Sequence, residues 1–155
     1  MQNKRKALRL GIFWALAIGW IAVLFYFSGQ TAAESSALSS SVANFVRGIF
    51  PFNRIPSGQL EHVLRKLAHF SIFALEGFLL CLAMMESSRD KGAGALLSGI
   101  LCTAVAAANE LHQSFIEGRS CEGGDVLIDS AGALLGIAVA ALAYFLCRRR
   151  RRDRR

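Results

Sequence analysis

The chain has 155 residues, of which 54% are hydrophobic and only 19% charged, and its formal net charge is +7. Soluble domains carry about a quarter charged residues, so the composition argues against an ordinary soluble domain and indicates a lipid bilayer as the main partner. The positive charge does not indicate nucleic acid, because it clusters beside apolar segments and has no interleaved aromatic side chains to stack on bases.

Four apolar segments are long enough as helices to cross a hydrocarbon core of ~30 Å, which takes about 20 residues. They cover residues 10–27, 67–85, 92–108 and 126–147. Their ionisable residues are confined to His69 and Glu76 in the second segment and Asp129 in the fourth. The segments do not alternate polar with apolar residues, as strands of a membrane barrel do. The sequence therefore predicts an all-α, four-transmembrane-helix bundle forming a single membrane domain over residues 1–155, with a basic tail at 148–155.

The Lys and Arg residues predict the orientation of this bundle. An even number of spans places both termini on one side, and that side receives four basic residues before the first segment, two in the second connection and seven after the last. Only five remain for the other side. The positive-inside rule then places both termini in the cytoplasm and the protein in the plasma membrane. We interpret the first segment as a retained helix, because its apolar run exceeds the usual length in a cleaved signal peptide.

The first connection, residues 28–61, carries a helical pattern of its own. Apolar side chains recur there at helical spacing, at Leu38, Val42, Phe45, Val46 and Ile49. This pattern favours a helix lying flat at the outer membrane interface over a plain tether. Pro51 and Pro56 are expected to end it, and Ser57 is expected to cap the next helix.

Ionisable residues gather where the second span begins. Lys66, His69 and Glu76 lie on one helix face, since they are spaced three and seven residues apart. A carboxylate inside the membrane is costly and normally faces the bundle interior. We interpret Arg65, which precedes this face, as an interface anchor whose charge reaches towards water.

Polar residues also mark the end of the third span and the start of the fourth. Asn109 and Gln113 are four residues apart, and Glu110 and Gln113 three, so these side chains can share a face. Asp125 and Asp129 are also four apart, in line with a GxxxG step at residues 132–136 that favours close helix approach.

By the predicted topology, these three helix ends lie at one membrane face, the outer one. We therefore predict a polar pocket there with mutually compensating charges. It comprises Lys66, His69, Glu110, Gln113, Arg119, Asp125 and Asp129.

Metal binding is the sharpest alternative use of these residues. His69, Glu110, His112 and Asp129 offer suitable ligand atoms. However, Glu110 and His112 have i, i+2 spacing, which points their side chains to different helix faces, and the chain contains neither an H-E-x-x-H motif nor a C-x-x-C pair. We therefore predict no metal site and no cofactor. A nucleophilic triad is supported even less, because Ser71 and His69 are also two residues apart and so cannot face each other on a helix.

Four blocks of the sequence together resemble the VanZ-like family, and they span nearly the whole chain. They are residues 26–30 (YFSGQ), 65–70 (RKLAHF), 109–119 (NELHQSFIEGR) and 125–136 (DVLIDSAGALLG). The first block adds Gln30 to the predicted pocket. Asn109 stands where the family commonly has Asp, and residues 117–118 are Glu-Gly where Pro-Gly is common. The first departure removes a charge, and the second affects loop stiffness.

The resemblance implies a membrane protein linked to the cell envelope, because the namesake of the family is associated with resistance to the glycopeptide antibiotic teicoplanin. We expect a binding protein rather than an enzyme, with Lys66, His69 and Arg119 facing an anionic lipid head group or cell-wall precursor. One alternative is an intramembrane enzyme on a lipid-linked substrate, with His69 or Glu110 as acid–base group, which requires His69 and a carboxylate at a common cavity. The other is a small ion-coupled carrier using Glu76.

Overall fold

A computed structural model describes residues 2–50 and 55–153. Within these ranges it contains five α-helices and no strand. They are α1 (Gln2–Ser28), α2 (Ala32–Ile49), α3 (Ser57–Ser87), α4 (Lys91–Gln113) and α5 (Gly123–Asp153). All but α2 are long and apolar enough to cross a membrane. The predicted all-α bundle of four transmembrane helices is therefore confirmed.

The helices extend beyond the apolar segments that predicted them. α1 already begins at Gln2, and α3 begins at Ser57, ten residues before its apolar segment. The basic segment after residue 147 continues α5 as far as Asp153. An apolar run marks only the part of a helix that lies in hydrocarbon, whereas the backbone hydrogen bonds of a helix continue into the polar interface.

The helix predicted in the first connection is present as α2 and begins with a capping box. The Glu34 amide donates to Thr31 Oγ1 at 3.3 Å, and the Thr31 amide donates to Glu34 Oε2 at 2.8 Å. Such reciprocal bonds satisfy backbone donors that the first helical turn leaves free. Most of the large apolar side chains of α2 are exposed, Phe45 by 69%, while Ala43 is buried. A helix with such an exposed apolar surface is typical of a membrane interface.

The ends of the connection differ from the prediction in one respect. α2 ends at Ile49, and the predicted stop at Pro51 lies outside the described residues. Ser57 is not the N-cap of α3, since Pro56 occupies that position and makes no side-chain cap bond. Instead, Ser57 Oγ accepts a hydrogen bond from Arg47 Nη1 at 2.9 Å and so fastens α2 to the start of α3.

α3 is the central helix of the bundle and contacts each of the other four, most extensively α5. The α3–α5 contact depends on the GxxxG step. A Cβ atom on Gly132 would overlap the backbone of Phe70, and one on Gly136 would overlap that of Ala74. The two helices thus approach closely because neither glycine carries a side chain.

Apolar and polar side chains occupy different ends of the interior. The larger apolar cluster, which includes Leu80, Met85 and Ala140, lies towards the α3–α4 connection. Most buried polar residues lie towards the opposite end, where α1 and α4 end and α3 and α5 begin. This end, which also carries α2, is called here the α2 end.

Candidate functional site

A cavity of about 460 Å³ lies at the α2 end, between α1, α2, α3, α4 and the loop after α4. Its walls are mostly apolar and include Leu24, Phe27, Leu38, Val42 and Ile72. Its larger polar side chains are Gln30, Arg65, His69, Asn109, Gln113 and Arg119. Among the described residues the lining contains no Asp or Glu. The cavity is thus an apolar pocket with a positively charged polar side.

Arg119 is held in place by the loop that follows α4. Its Nη1 donates to Gln113 Oε1 at 2.8 Å. The preceding Gly118 has φ of +73°, a left-handed conformation that glycine adopts without strain. Burial lowers the pKa of the Arg119 guanidinium below its ordinary value, the positive charge of Arg65 lowers that pKa further, and the carboxylates of Glu110 and Asp125 partly oppose the shift. The guanidinium nevertheless stays protonated, as arginine does in proteins.

Arg65 approaches the same cavity from the first turns of α3. Its Nη2 donates to Ser36 Oγ on α2 at 3.1 Å. Within the described residues its buried Nε has no hydrogen-bond partner. Two arginines therefore line one apolar cavity, and each guanidinium is hydrogen-bonded to a neutral side chain rather than to a carboxylate.

Three ionisable residues from three helices meet beside this cavity. His69 of α3, Glu110 of α4 and Asp129 of α5 each offer a nitrogen or oxygen atom within 4.8 Å of the others. His69 Nδ1 lies 3.3 Å from Asp129 Oδ1. Glu110 is 1% exposed and Asp129 is fully buried. His69 also lines the cavity and so connects it to the two carboxylates.

The two carboxylates in this group are incompletely hydrogen-bonded. Glu110 Oε2 accepts the backbone N–H of Glu122 at 3.0 Å. Within residues 2–50 and 55–153, Glu110 Oε1 and both Asp129 oxygens accept no hydrogen bond of normal geometry. Buried polar atoms in proteins are nearly always satisfied, so this group has capacity for a proton, a water molecule or a cation.

Lys66 forms a separate ion-paired group at the edge of the bundle. It contacts Asp125, and its Nζ lies 3.2 Å from Glu122 Oε2. Lys66 does not line the cavity, and its charge is compensated by two carboxylates. Glu122 was not singled out in the sequence, since its backbone contact with Glu110 depends on how the loop folds.

The structure thus divides the predicted pocket into three adjoining groups. Those that line the cavity are Gln30, His69, Gln113 and Arg119. Glu110 and Asp129 lie behind the lining, against His69, while Lys66 and Asp125 pair with each other. Sequence reasoning did not assign Arg65 or Asn109 to the pocket, although both line the cavity. The helical spacing of Asn109 and Gln113 already placed Asn109 on the same face as Gln113, and this was sufficient reason to include Asn109 in the predicted pocket.

Two further ionisable residues of the sequence analysis do not line the cavity, although one of them contacts a lining residue, Ser28. His112 Nδ1 lies 3.2 Å from Ser28 Oγ at the end of α1, away from Glu110, as the i, i+2 spacing predicts. Glu76 is fully buried deeper in α3, and its carboxylate oxygens have no hydrogen-bond partner among the described residues.

Comparison with protein families identifies one match that covers most of the chain. The model of the family described as VanZ/LLP1 matches residues 13–145. This range includes α2, α3 and α4 and every residue of the predicted pocket. No curated protein and no solved structure matches the chain.

Proposed function

The chain belongs to the VanZ/LLP1 family, and from this premise we propose that it binds an anionic amphiphile of the cell envelope in the cavity at the α2 end. The ligand is a lipid head group or a lipid-linked cell-wall precursor that carries phosphate. The observation that supports this most is that Arg65 and Arg119 line a mostly apolar cavity whose described lining contains no carboxylate.

The chemistry of the lining fits such a ligand. A guanidinium presents a planar set of donors that matches phosphate oxygens, and it binds them most strongly where water is excluded. Gln113 positions Arg119 without neutralising it. The apolar walls suit an acyl or prenyl chain, and the cavity volume is within the range of about 300–1,000 Å³ that small-molecule sites occupy.

The proposal assigns the anion-binding role to different residues than the sequence suggested. Lys66 already contacts Asp125 and Glu122, so an additional anion there would compete with two fixed carboxylates. Arg65 takes its place in the proposal, beside Arg119 and His69. Helix α2 supplies Ser35 and Ser39 to the lining.

In the cell, the proposal places this cavity in the outer leaflet, with both termini in the cytoplasm. Occupying or displacing a precursor there would change the access of a glycopeptide antibiotic to its target. We therefore include a teicoplanin-resistance-like phenotype in the proposed function.

Native mass spectrometry of the purified protein with dioleoyl phosphatidylglycerol, a polyprenyl phosphate and dioleoyl phosphatidylcholine tests the binding step. We expect either anionic lipid to bind, the phosphocholine lipid to bind weakly, and Arg119→Gln and Arg65→Gln each to weaken anionic binding by about 10-fold or more, as charge-assisted hydrogen bonds predict. Arg89→Gln, in the connection at the opposite end of the bundle, is the matched control and should bind normally. Equal binding by all four proteins would contradict the proposal.

The same variants test the cellular role. Cells producing the wild-type chain or Arg89→Gln should tolerate more teicoplanin than cells producing Arg119→Gln at equal membrane abundance. If Arg119→Gln instead disappears from the membrane, Arg119 is structural and the assignment of its role is wrong.

The second candidate is an intramembrane enzyme acting on a lipid-linked substrate. One observation favours it, since His69 lies at the cavity while its Nδ1 is 3.3 Å from Asp129, as a histidine oriented by a carboxylate would be. Mass spectrometry of the recovered polyprenyl phosphate or of a pyrophosphate analogue distinguishes the two candidates, because an enzyme returns a changed lipid and a binding protein does not.

A further inference from the structure

We propose that His69, Glu110 and Asp129 bind a divalent transition-metal cation, Zn²⁺ being the first to test, directly beside the cavity. The sequence predicted no metal site, because Glu110 and His112 are two residues apart and point to different helix faces, and because no H-E-x-x-H or C-x-x-C motif is present. The first reason holds for His112, which contacts Ser28 instead. It does not apply to a set of ligands with one member from each of three helices.

The geometry is the first argument for this site. Ligand atoms about 2.0–2.2 Å from a zinc ion lie roughly 3–4 Å from one another. The His69 and Asp129 atoms are already 3.3 Å apart, and all three ligand atoms lie within 4.8 Å of one another. Small side-chain movements would therefore place one ion between α3, α4 and α5.

The balance of charge is the second argument. Two carboxylates are buried here side by side, and bringing them out of water is unfavourable unless a positive charge compensates them. The hydrogen bonds of the Lys and Arg side chains around them go to other residues, since Lys66 contacts Asp125 and Glu122 while Arg119 donates to Gln113. His69, whose Nδ1 lies 3.3 Å from Asp129 Oδ1, provides at most one positive charge for the two carboxylates. A divalent cation would neutralise Glu110 and Asp129 together.

Hydrogen bonding is the third argument, and it is independent of the other two. The backbone N–H of Glu122 fixes one oxygen of Glu110, as outer partners of metal ligands commonly do. Three carboxylate oxygens then accept no hydrogen bond of normal geometry among the described residues, Asp129 Oδ1 having only the poorly aligned His69 Nδ1 at 3.3 Å, and all belong to side chains that are no more than 1% exposed. The lone pairs of these oxygens point into the protein interior. A cation can coordinate them, whereas an apolar neighbour cannot.

A metal here would extend the chemistry of the cavity. Imidazole together with carboxylates is a common ligand set for zinc, and three protein ligands leave a further coordination position open. Because His69 belongs both to this set and to the cavity lining, the cation would adjoin the anionic group of a bound ligand. The inference rests on His69 and on two carboxylates behind the lining, and it does not require the proposed function to be correct.

The test measures metal directly. Protein purified in detergent on a Cys121→Ser background, which removes an exposed thiol, is stripped with a chelator, incubated with Zn²⁺, desalted and assayed by elemental mass spectrometry. We expect one Zn²⁺ per chain. Asp129→Asn and Glu110→Gln should each weaken binding by at least about 10-fold, as loss of metal-site partners does. Glu76→Gln, another buried carboxylate of the bundle, is the matched control and should bind normally.

A thermal measurement covers the case in which a variant folds poorly. Zn²⁺ should raise the unfolding temperature of the chelator-treated wild type and of Glu76→Gln, because a ligand that binds only the folded state stabilises it. No stoichiometric Zn²⁺ in the wild type, with no rise in its unfolding temperature, would overturn the proposal and leave a shared proton to compensate the two carboxylates.

The metal-site proposal and the lipid-binding proposal can be tested independently of each other. Arg119→Gln should retain Zn²⁺ while losing anionic lipid. Retention of Zn²⁺ at wild-type affinity by Asp129→Asn and Glu110→Gln would show that the ion binds elsewhere, and it would overturn the inference whatever the lipid result.

Discussion

His69 is the residue at which the two parts of the candidate site meet. On one side it lines an apolar cavity with two arginines, and on the other its Nδ1 lies 3.3 Å from Asp129. The sequence singled out His69 and Asp129 because ionisable groups inside a membrane segment are costly and therefore usually have a purpose. It did not reveal which of the neighbouring charges each would contact, since Lys66 and Arg65 are adjacent in sequence yet lie in different groups.

The stability of the first turn of α2 is expected to depend on pH. Hydrogen bonds from the backbone and side chain of Thr31 lower the pKa of the Glu34 carboxyl below its ordinary value. A lowered pKa in the folded state means that the carboxylate stabilises α2 above the ordinary pKa of glutamate and that this stabilisation is lost as the pH falls through the lowered one. Hydrogen-exchange protection of the first amides of α2, corrected for intrinsic exchange rates, should therefore decrease in acid.

The variant Glu34→Gln provides the control for this prediction. Glutamine still completes a capping box but does not titrate, so its protection should vary little over the same pH range. An equal loss of protection in both proteins would show that another group is responsible.

At the scale of elements, the contact between α3 and α5 holds the candidate site together, because it positions His69 against Asp129. The GxxxG step predicted close approach but not the partner helix. Four spans offer several possible pairs, and only the packing of the folded bundle selects α3, whose backbone at Phe70 and Ala74 faces the two glycines. The same packing makes α3 the helix that contacts every other one.

Replacing Gly136 by alanine should therefore destabilise the bundle. The new Cβ would overlap the backbone of Ala74, and backbone cannot move aside as a flexible side chain can. We expect a loss of about 1–3 kcal/mol in the free energy of unfolding, as overpacking of a close contact produces. Unfolding in mixed detergent, followed by circular dichroism, measures it.

Gly19→Ala is the matched substitution, since a Cβ on Gly19 has no heavy atom within 4 Å. It should leave the free energy of unfolding unchanged or raise it by up to about 1 kcal/mol, because alanine is a better helix former than glycine and meets no neighbour there. Similar losses at both positions would mean that alanine is unfavourable for some reason other than α3–α5 contact.

At the scale of the whole molecule, the orientation in the membrane decides which leaflet the cavity serves. The prediction that both termini lie in the cytoplasm follows from the Lys and Arg distribution alone. It places the α2 end, with its cavity and the loop that carries Cys121, on the outer side. This is the condition under which the cavity can meet envelope lipids or a glycopeptide.

Labelling of single cysteines tests this orientation. Cys121 is exposed in the loop between α4 and α5. In a chain that retains only this thiol, a membrane-impermeant maleimide should label intact cells. In an otherwise cysteine-free chain carrying Asn3→Cys, at the exposed start of α1, labelling should require lysis. The reverse pattern would place the cavity on the cytoplasmic side.

The sequence by itself determined the properties that depend on the order of apolar and polar residues within a single helix. Apolar length predicted the spans, periodicity predicted α2, and the intramembrane positions of His69 and Asp129 marked the candidate site. The helices predicted from the sequence were shorter than the observed ones, because hydrophobicity reports only the part of a helix that lies in hydrocarbon.

Only the tertiary structure decided which side chains meet across helices. Helix spacing fixes the face on which a residue lies but not the neighbour that this face receives. Helix spacing therefore could not predict three features of the site. Lys66 pairs with Asp125, Arg65 lines the cavity together with Arg119, and Glu110 lies near Asp129. These contacts depend on the rotation and depth of each helix. The close approach of α3 and α5 at Gly132 and Gly136, against the backbone of Phe70 and Ala74, contributes to both.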